Sequence, residues 1–90
     1  MYDCVGWIVR SAAGRDKGGL FCVVGQQDGF LLLADGKRRK FAHPKRKKLA
    51  HLTVENRGGY LNPVIQRVQM GEQVSDCALR RALAAFREEV

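Results

Sequence analysis

The chain has 90 residues, enough for one small domain with a limited hydrophobic core. Its 16 lysines and arginines outnumber its 9 aspartates and glutamates, and the formal net charge of +7 favours a polyanionic partner over a basic one. We expect a cytoplasmic protein without a membrane partner, because the sequence has no transmembrane run and no signal peptide at its start.

Three strands are predicted at residues 5–10, 20–26 and 30–34, which are rich in β-branched, leucine and aromatic side chains. Trp7 and Ile8 are adjacent and both large, so one of them must face away from the interior of the sheet. Residues 30–34 are continuously apolar instead of alternating, which indicates cover on both faces. We expect the C-terminal half to supply the outer cover.

Two further strands follow a hairpin signal. Asp35-Gly36 is typical of a two-residue turn, so the chain is predicted to return as a strand over residues 37–41. Pro44 ends that strand because proline has no N–H to donate to the ladder. Residues 49–54 then read as the last strand of the sheet.

Two helices are predicted after residue 56. Asn62-Pro63 is an N-cap followed by a proline in the first turn, and Gly71 is a C-cap, which gives a helix over residues 63–70. A second helix over residues 76–88 begins at Ser75 or Asp76, with Val74 packing back on its first turn. Its apolar stripe consists of Leu79, Ala82, Leu83, Phe86 and Val90.

The positive charge is concentrated in the first part of the chain. Residues 1–51 contain 11 basic and 4 acidic side chains, whereas residues 52–90 contain 5 of each. Within residues 37–48, eight of twelve side chains are Lys or Arg and none is acidic. Such a run repels itself until phosphates neutralise it and release their counterions, so it indicates a nucleic-acid binding surface.

A loop over residues 11–19 lies between the first two strands and contains Gly14, Gly18 and Gly19. Its core, Gly-Arg-Asp-Lys-Gly from Gly14 to Gly18, with the apolar strand that follows, resembles the KOW motif of large-subunit ribosomal proteins and of NusG-related elongation factors. The whole first half is similar to small KOW-domain RNA-binding proteins of bacteria. The resemblance implies a mainly β fold: a small SH3-like β-barrel over residues 1–55, with the helical pair of residues 56–90 packed on it.

The resemblance and the basic run together predict the contacts to RNA. The predicted RNA-binding residues are Arg10, Gly14, Arg15, Lys17, Gly18, Lys37, Arg38, Arg39, Lys40, Lys45, Arg46, Lys47 and Lys48. Asp16 is expected to form the turn rather than to contact RNA. Most of Trp7, Phe21, Phe30 and Phe41 are expected in the core, with Trp7 left open as a stacking platform. Few rings therefore remain for stacking, which favours structured ribosomal RNA and the ribosome as partners of a monomer.

Other functions are less well supported by the residues. No nucleophile–base set or nucleotide-binding loop is present, so we expect no enzyme activity, no cofactor and no small-molecule substrate. No ligand spacing in the sequence supports a zinc site formed by Cys4, Cys22, His43 and His51. The rival function is a protein-interaction module that docks on the transcription or translation machinery through the loop around Tyr60 and Leu61. Backbone electrostatics alone do not separate RNA from DNA.

Overall fold

The computed structural model describes residues 4–15 and 17–89, and within them the chain is mainly β, with one five-strand sheet and two C-terminal helices. The strands are β1 (Ile8–Ser11), β2 (Leu20–Gln27), β3 (Phe30–Ala34), β4 (Lys45–Lys47) and β5 (Leu52–Asn56). The helices are α1 (Pro63–Gln69) and α2 (Asp76–Glu89), and a 3-10 turn, Leu49–His51, precedes β5. Asp16 and Val90, which the sequence analysis placed in a turn and in an apolar stripe, lie outside the described residues.

The sheet is antiparallel throughout, in the order β4-β3-β2-β1-β5. β5 returns to pair with β1, so β4 and β5 form the two edges and the sheet of described residues is not closed into a barrel. The pairing register shifts between Ile8 and Val9 and again between Val23 and Gly25. Such irregularities bend a strand and increase its local twist.

Alternate residues of the strands bury themselves in two separate hydrophobic clusters. On what we call the inner face, Trp7, Val9 and Phe21 pack with β3 and with Leu52 and Val54 of β5. On the outer face, Ile8 of β1 packs with the two helices. Trp7 and Ile8 therefore point to opposite faces, and Trp7 is only 6% exposed, so its ring is a core residue rather than a free stacking platform.

The helices cover the outer face over β1 and β2 and reach the end of β3 at Ala34. The expectation that they cover all of β3 is wrong at Phe30, which lies outside their hydrophobic cluster. Two cations of the following segment lie over its ring instead: the Arg46 guanidinium is 4.9 Å and the Lys48 ammonium 5.7 Å from the ring centroid. These contacts shield the ring without an apolar lid.

The two helices begin as their capping residues predict. Asn62 accepts a hydrogen bond from the Val64 amide at 2.9 Å, with Pro63 in the first turn of α1. Ser75 accepts one from the Ala78 amide at 3.1 Å at the start of α2. After α1, Gly71 takes a positive φ of 83°, which is the left-handed conformation of a C-cap glycine.

The predicted strand over residues 37–41 is wrong. The Asp35 carboxylate accepts hydrogen bonds from the amides of Lys37 and Arg39, both at 2.9 Å, and these bonds close a loop where a hairpin strand was expected. The strand that pairs with β3 starts only after Pro44, as β4. The last strand also starts later than predicted, because residues 49–51 form the 3-10 turn.

No helix of the part of the chain that the structure describes is both long and apolar enough to cross a membrane.

Candidate nucleic-acid interface

The glycine loop (residues 11–19) is a tight extension of the β1–β2 hairpin. Ser11 makes two hydrogen bonds across the loop. Its amide donates to the Gly19 carbonyl at 3.0 Å, and its carbonyl accepts from the Gly18 amide at 2.8 Å. Gly14 and Gly18 take φ values of 83° and 87°, a region that other residues rarely adopt. The loop therefore folds as its glycines predict, and its Arg15 and Lys17 are exposed.

Arg10 supports the base of the glycine loop. Its Nη1 donates a hydrogen bond of 2.8 Å to the Gly18 carbonyl, and its Nε lies 3.9 Å from the Glu55 carboxylate on β5. The side chain is still 39% exposed, so part of it faces solvent. Arg10, a predicted RNA-binding residue, therefore also stabilises the base of the glycine loop.

Lys47 lies beneath the same loop rather than on the surface. Its ammonium donates hydrogen bonds to the Ser11 hydroxyl at 2.6 Å and to the Ala13 carbonyl at 2.5 Å, and the residue is only 9% exposed. The side chain reaches this position because Lys47 stands opposite Leu31 on the inner face of the sheet. The structure thus places Lys47, a predicted RNA contact, inside the protein as a support for the glycine loop.

The other cations of β4 follow the alternation of the strand. Arg46 stands opposite Leu32 and, with Lys48, lies over Phe30 on the outer face. Lys45 stands opposite Leu33, in the same alternation as Lys47. The basic run is therefore divided between two faces of the sheet and does not form one continuous surface.

The loop over residues 35–44 carries the remaining cations of the run and is held against α2. The amide of Phe41 donates to the Asp76 carboxylate at 2.7 Å, and Arg80 Nη1 donates to the Gly36 carbonyl at 3.2 Å. Lys37 and Arg38 are exposed, as is Lys40, whereas Arg39 is half-buried. The first half of α2 thus fixes the position of these cations.

A basic cleft of about 450 Å³ lies where the glycine loop, residues 35–38 and α2 meet. Lys17 and Gly18 line one side, and Lys37 and Arg38 line a second. The third side is α2, which contributes two cations and two apolar residues: Arg80, Arg87, Leu83 and Ala84. The lining is completed by Gly19, Leu20, Phe21 and Asp35.

The cleft gathers four of the predicted RNA-binding residues: Lys17, Gly18, Lys37 and Arg38. The other nine do not line it: Arg10, Gly14, Arg15, Arg39, Lys40, Lys45, Arg46, Lys47 and Lys48. Arg80 and Arg87 were missed by the sequence reasoning because the C-terminal part has no net charge. The available signal was their spacing, which with Ala84 gives positions i, i+4 and i+7 along one side of a helix.

The cysteines do not form a common site. Cys22 is buried in the outer cluster and Cys4 in the inner one, so the sheet separates them. Burial raises the pKa of the Cys22 thiol to about 12, which keeps it protonated and unreactive. Among residues 4–15 and 17–89, no three His, Cys, Asp or Glu side chains are grouped so that they could hold a metal ion.

No protein-family model matches this chain, and no curated protein sequence matches it either.

Proposed function

We propose that this chain is an RNA-binding protein of the KOW type that acts in the cytoplasm, binds structured ribosomal RNA as a monomer, and has no enzymatic role. The observation that carries the proposal is the meeting of Lys17 with Lys37 and Arg38 in one cleft, although about twenty residues of sequence separate them. Cations from distant segments that converge on one concavity repel one another, and backbone phosphates relieve that repulsion.

The sheet order supports an SH3-like barrel as the underlying fold. Consecutive strands β1 to β4 are neighbours, and β5 crosses back to the free side of β1. The register shift beside Gly25 is the kind of irregularity that bends a strand, as the strands of a small barrel must bend. The inner cluster is buried on one face of the sheet, as the interior of a small barrel is filled by side chains.

The first experiment measures binding of the full chain to a folded ribosomal RNA fragment and to an unstructured oligonucleotide over a range of salt concentrations. We expect tighter binding to the folded RNA and a linear fall of log K with log salt. Replacing both Lys37 and Arg38 with Gln should lower the slope by roughly 1.4–1.8, or 0.7–0.9 per lost contact. The control pair Arg67→Gln and Arg81→Gln removes the same charge from exposed positions outside the cleft. Equal slopes for the two double variants, or tighter binding to the unstructured strand, would contradict the proposal.

One observation favours the rival function, a protein-interaction module. Leu61 and Met70, near the two ends of α1, are 82% and 74% exposed. Tyr60, however, is occupied within the fold: its hydroxyl donates to the Ala82 carbonyl at 3.2 Å and its ring packs edge-on against Phe86 at 5.1 Å. A Leu61→Ser variant that loses ribosome co-sedimentation while keeping its affinity for RNA would identify a protein dock at this end.

A further inference from the structure

We propose that α2 is a wall of the RNA-binding surface, and that Arg80 and Arg87 bind RNA backbone phosphates in the basic cleft together with Lys17, Lys37 and Arg38. This inference rests on the proposed function and names the site at which a segment of the RNA strand would enter. It gives the C-terminal extension a part in binding beyond covering the hydrophobic core.

The charge of the cleft is strongly unbalanced. Five cationic side chains line it and Asp35 is its one acidic residue among those described. The Asp35 Oδ1 atom accepts the amides of Lys37 and Arg39, so this carboxylate is engaged in shaping the loop. Phosphates, which bring their own charge, are the ligands that such a cleft attracts.

The cationic side chains of the cleft have N–H donors available for a ligand. Arg80 uses Nη1 for the Gly36 carbonyl, which leaves most of the five N–H donors of its guanidinium for a ligand. Within the described residues, Arg87 makes no ion pair, and neither do Lys17, Lys37 and Arg38. Arginine is well suited to this task because its planar fork binds two phosphate oxygens at once.

The size and lining of the cleft indicate a short segment of RNA instead of a whole duplex. A volume of about 450 Å³ lies in the range of small-ligand pockets, roughly 300–1,000 Å³. Between the two arginines of α2, the exposed Ala84 adds a small apolar surface against which a sugar or base edge can lie, with the buried Leu83 behind it. We therefore assign the cleft to a nucleotide-sized, phosphate-bearing part of a loop, bulge or junction, since such unstacked nucleotides are accessible in folded RNA.

The helix itself supplies the matched control. Arg80, Ala84 and Arg87 line the cleft, whereas Arg81, also exposed, does not. Arg87→Gln and Arg81→Gln remove the same charge from neighbouring turns of α2. Ala84→Glu puts a carboxylate into the cleft without removing any hydrogen bond, and Ala84→Gln adds nearly the same bulk without the charge.

The experiment measures the affinity of each variant for the folded ribosomal RNA fragment across salt concentrations, with the melting temperature as a check on folding. We expect Arg87→Gln to lower the salt slope by roughly 0.7–0.9 and Arg81→Gln to leave it unchanged. Ala84→Glu should weaken binding at least about tenfold more than Ala84→Gln, because like charges close together repel strongly. Amide NMR signals of Gly18 and Ala84 should shift together on RNA addition.

The outcomes separate this inference from the proposed function. If the wild-type chain binds RNA with a clear salt dependence but Arg87→Gln and Arg81→Gln have equal slopes, α2 is only a structural cover and the inference fails while the function stands. Equal effects of Ala84→Glu and Ala84→Gln lead to the same conclusion. If the wild-type chain binds no RNA, the proposed function fails and this inference fails with it.

Discussion

The Lys47 ammonium donates a hydrogen bond of 2.6 Å to the Ser11 hydroxyl, which ties the most cationic strand of the sheet to the first residue of the glycine loop. Ser11 in turn donates to the Ala13 carbonyl at 3.0 Å, an oxygen that Lys47 also contacts. A cation in the middle of a basic run thus serves the internal structure of the loop. The surface charge of β4 is correspondingly smaller than its composition suggests.

The first prediction concerns this contact. Lys47→Met keeps the length and apolar stem of the side chain but removes the donors, so Ser11 and Ala13 lose their support. We expect amide hydrogen exchange in the glycine loop to rise about tenfold, corresponding to about 1.4 kcal/mol of local stability. The salt slope of RNA binding should stay unchanged, because Lys47 offers no charge to the surface. Lys48→Met is the control; it should lower the slope by roughly 0.7–0.9 and leave loop exchange as it was. A lower salt slope with unchanged loop exchange for Lys47→Met would mean that Lys47 contacts RNA and does not support the loop.

The second prediction concerns Gly36, which lies against the first turn of α2. A Cβ atom there would overlap the Asp76 carbonyl oxygen and lie 3.0 Å from the Arg80 amide, and its φ is 78°. We expect Gly36→Ala to destabilise the fold by about 2–4 kcal/mol, from left-handed backbone strain and steric overlap together. Gly29→Ala is the matched control, since Gly29 has a φ of 81° but open space around it. Chemical denaturation should give the smaller loss for Gly29→Ala, about 1–2 kcal/mol; equal losses would mean that the loop does not rest on the helix.

Local signals in the sequence predicted the features that depend on neighbouring residues. The cap at Asn62 needs only the amide of Val64, two positions on, and the side chain provides it wherever the helix packs. The positive φ of Gly14 and Gly18 likewise follows from their residue type in a tight loop. The apolar stripe of α2 located its buried side for the same reason, because helical geometry fixes which residues share a face.

Features that depend on distant residues were not predictable in the same way. The Asp35-Gly36 pair is compatible with a hairpin turn, but the loop that contains it docks on α2, where Arg80 donates to the Gly36 carbonyl and the Asp76 carboxylate accepts the Phe41 amide. The basic cleft depends on that docking, since Arg80 and Lys37 are far apart in sequence. Charge counted along the chain pointed to the basic residues of the first half and did not reveal the two arginines with which α2 lines the cleft.

The third prediction concerns the Cys22 thiol, whose pKa burial raises to about 12. In the unfolded chain the Cys22 thiol has an ordinary pKa of about 8.5. As pH rises, the thiol of the unfolded chain therefore loses its proton before the thiol of the folded chain does. Ionisation of the unfolded thiol favours the unfolded state. The free energy of unfolding is therefore at its full value below about pH 8.5 and falls between there and pH 12. We expect wild-type protein to lose about 2–3 kcal/mol more stability than Cys22→Ala between pH 8 and pH 10.5, at about 1.4 kcal/mol per pH unit.

Denaturation of both proteins at the two pH values measures this difference, and other titrating groups cancel in the comparison. Thiol labelling of the native protein gives an independent check. Cys77 is exposed and should react rapidly, whereas Cys22 should react only on unfolding. Rapid labelling of both thiols in the native state, or parallel pH profiles for the two proteins, would contradict the buried position of Cys22.

The fourth prediction concerns Arg46 and Lys48, which lie over Phe30 at the opposite end of β3 from the cleft. From Phe30 to Ala34 the strand rises roughly 13 Å, so a ligand that fills only the cleft does not reach these two cations. Replacing both with Gln should lower the salt slope for the folded RNA fragment by roughly 1.4–1.8. Binding of a dinucleotide, which is too short to reach from the cleft to Phe30, should remain unchanged. The Lys37→Gln and Arg38→Gln pair should weaken binding of both the dinucleotide and the folded RNA fragment, because these side chains line the cleft. Loss of dinucleotide binding in the Arg46 and Lys48 double variant would mean that these two cations and the cleft form one site. An unchanged salt slope for the folded RNA fragment would mean that the outer face of β4 does not contact RNA.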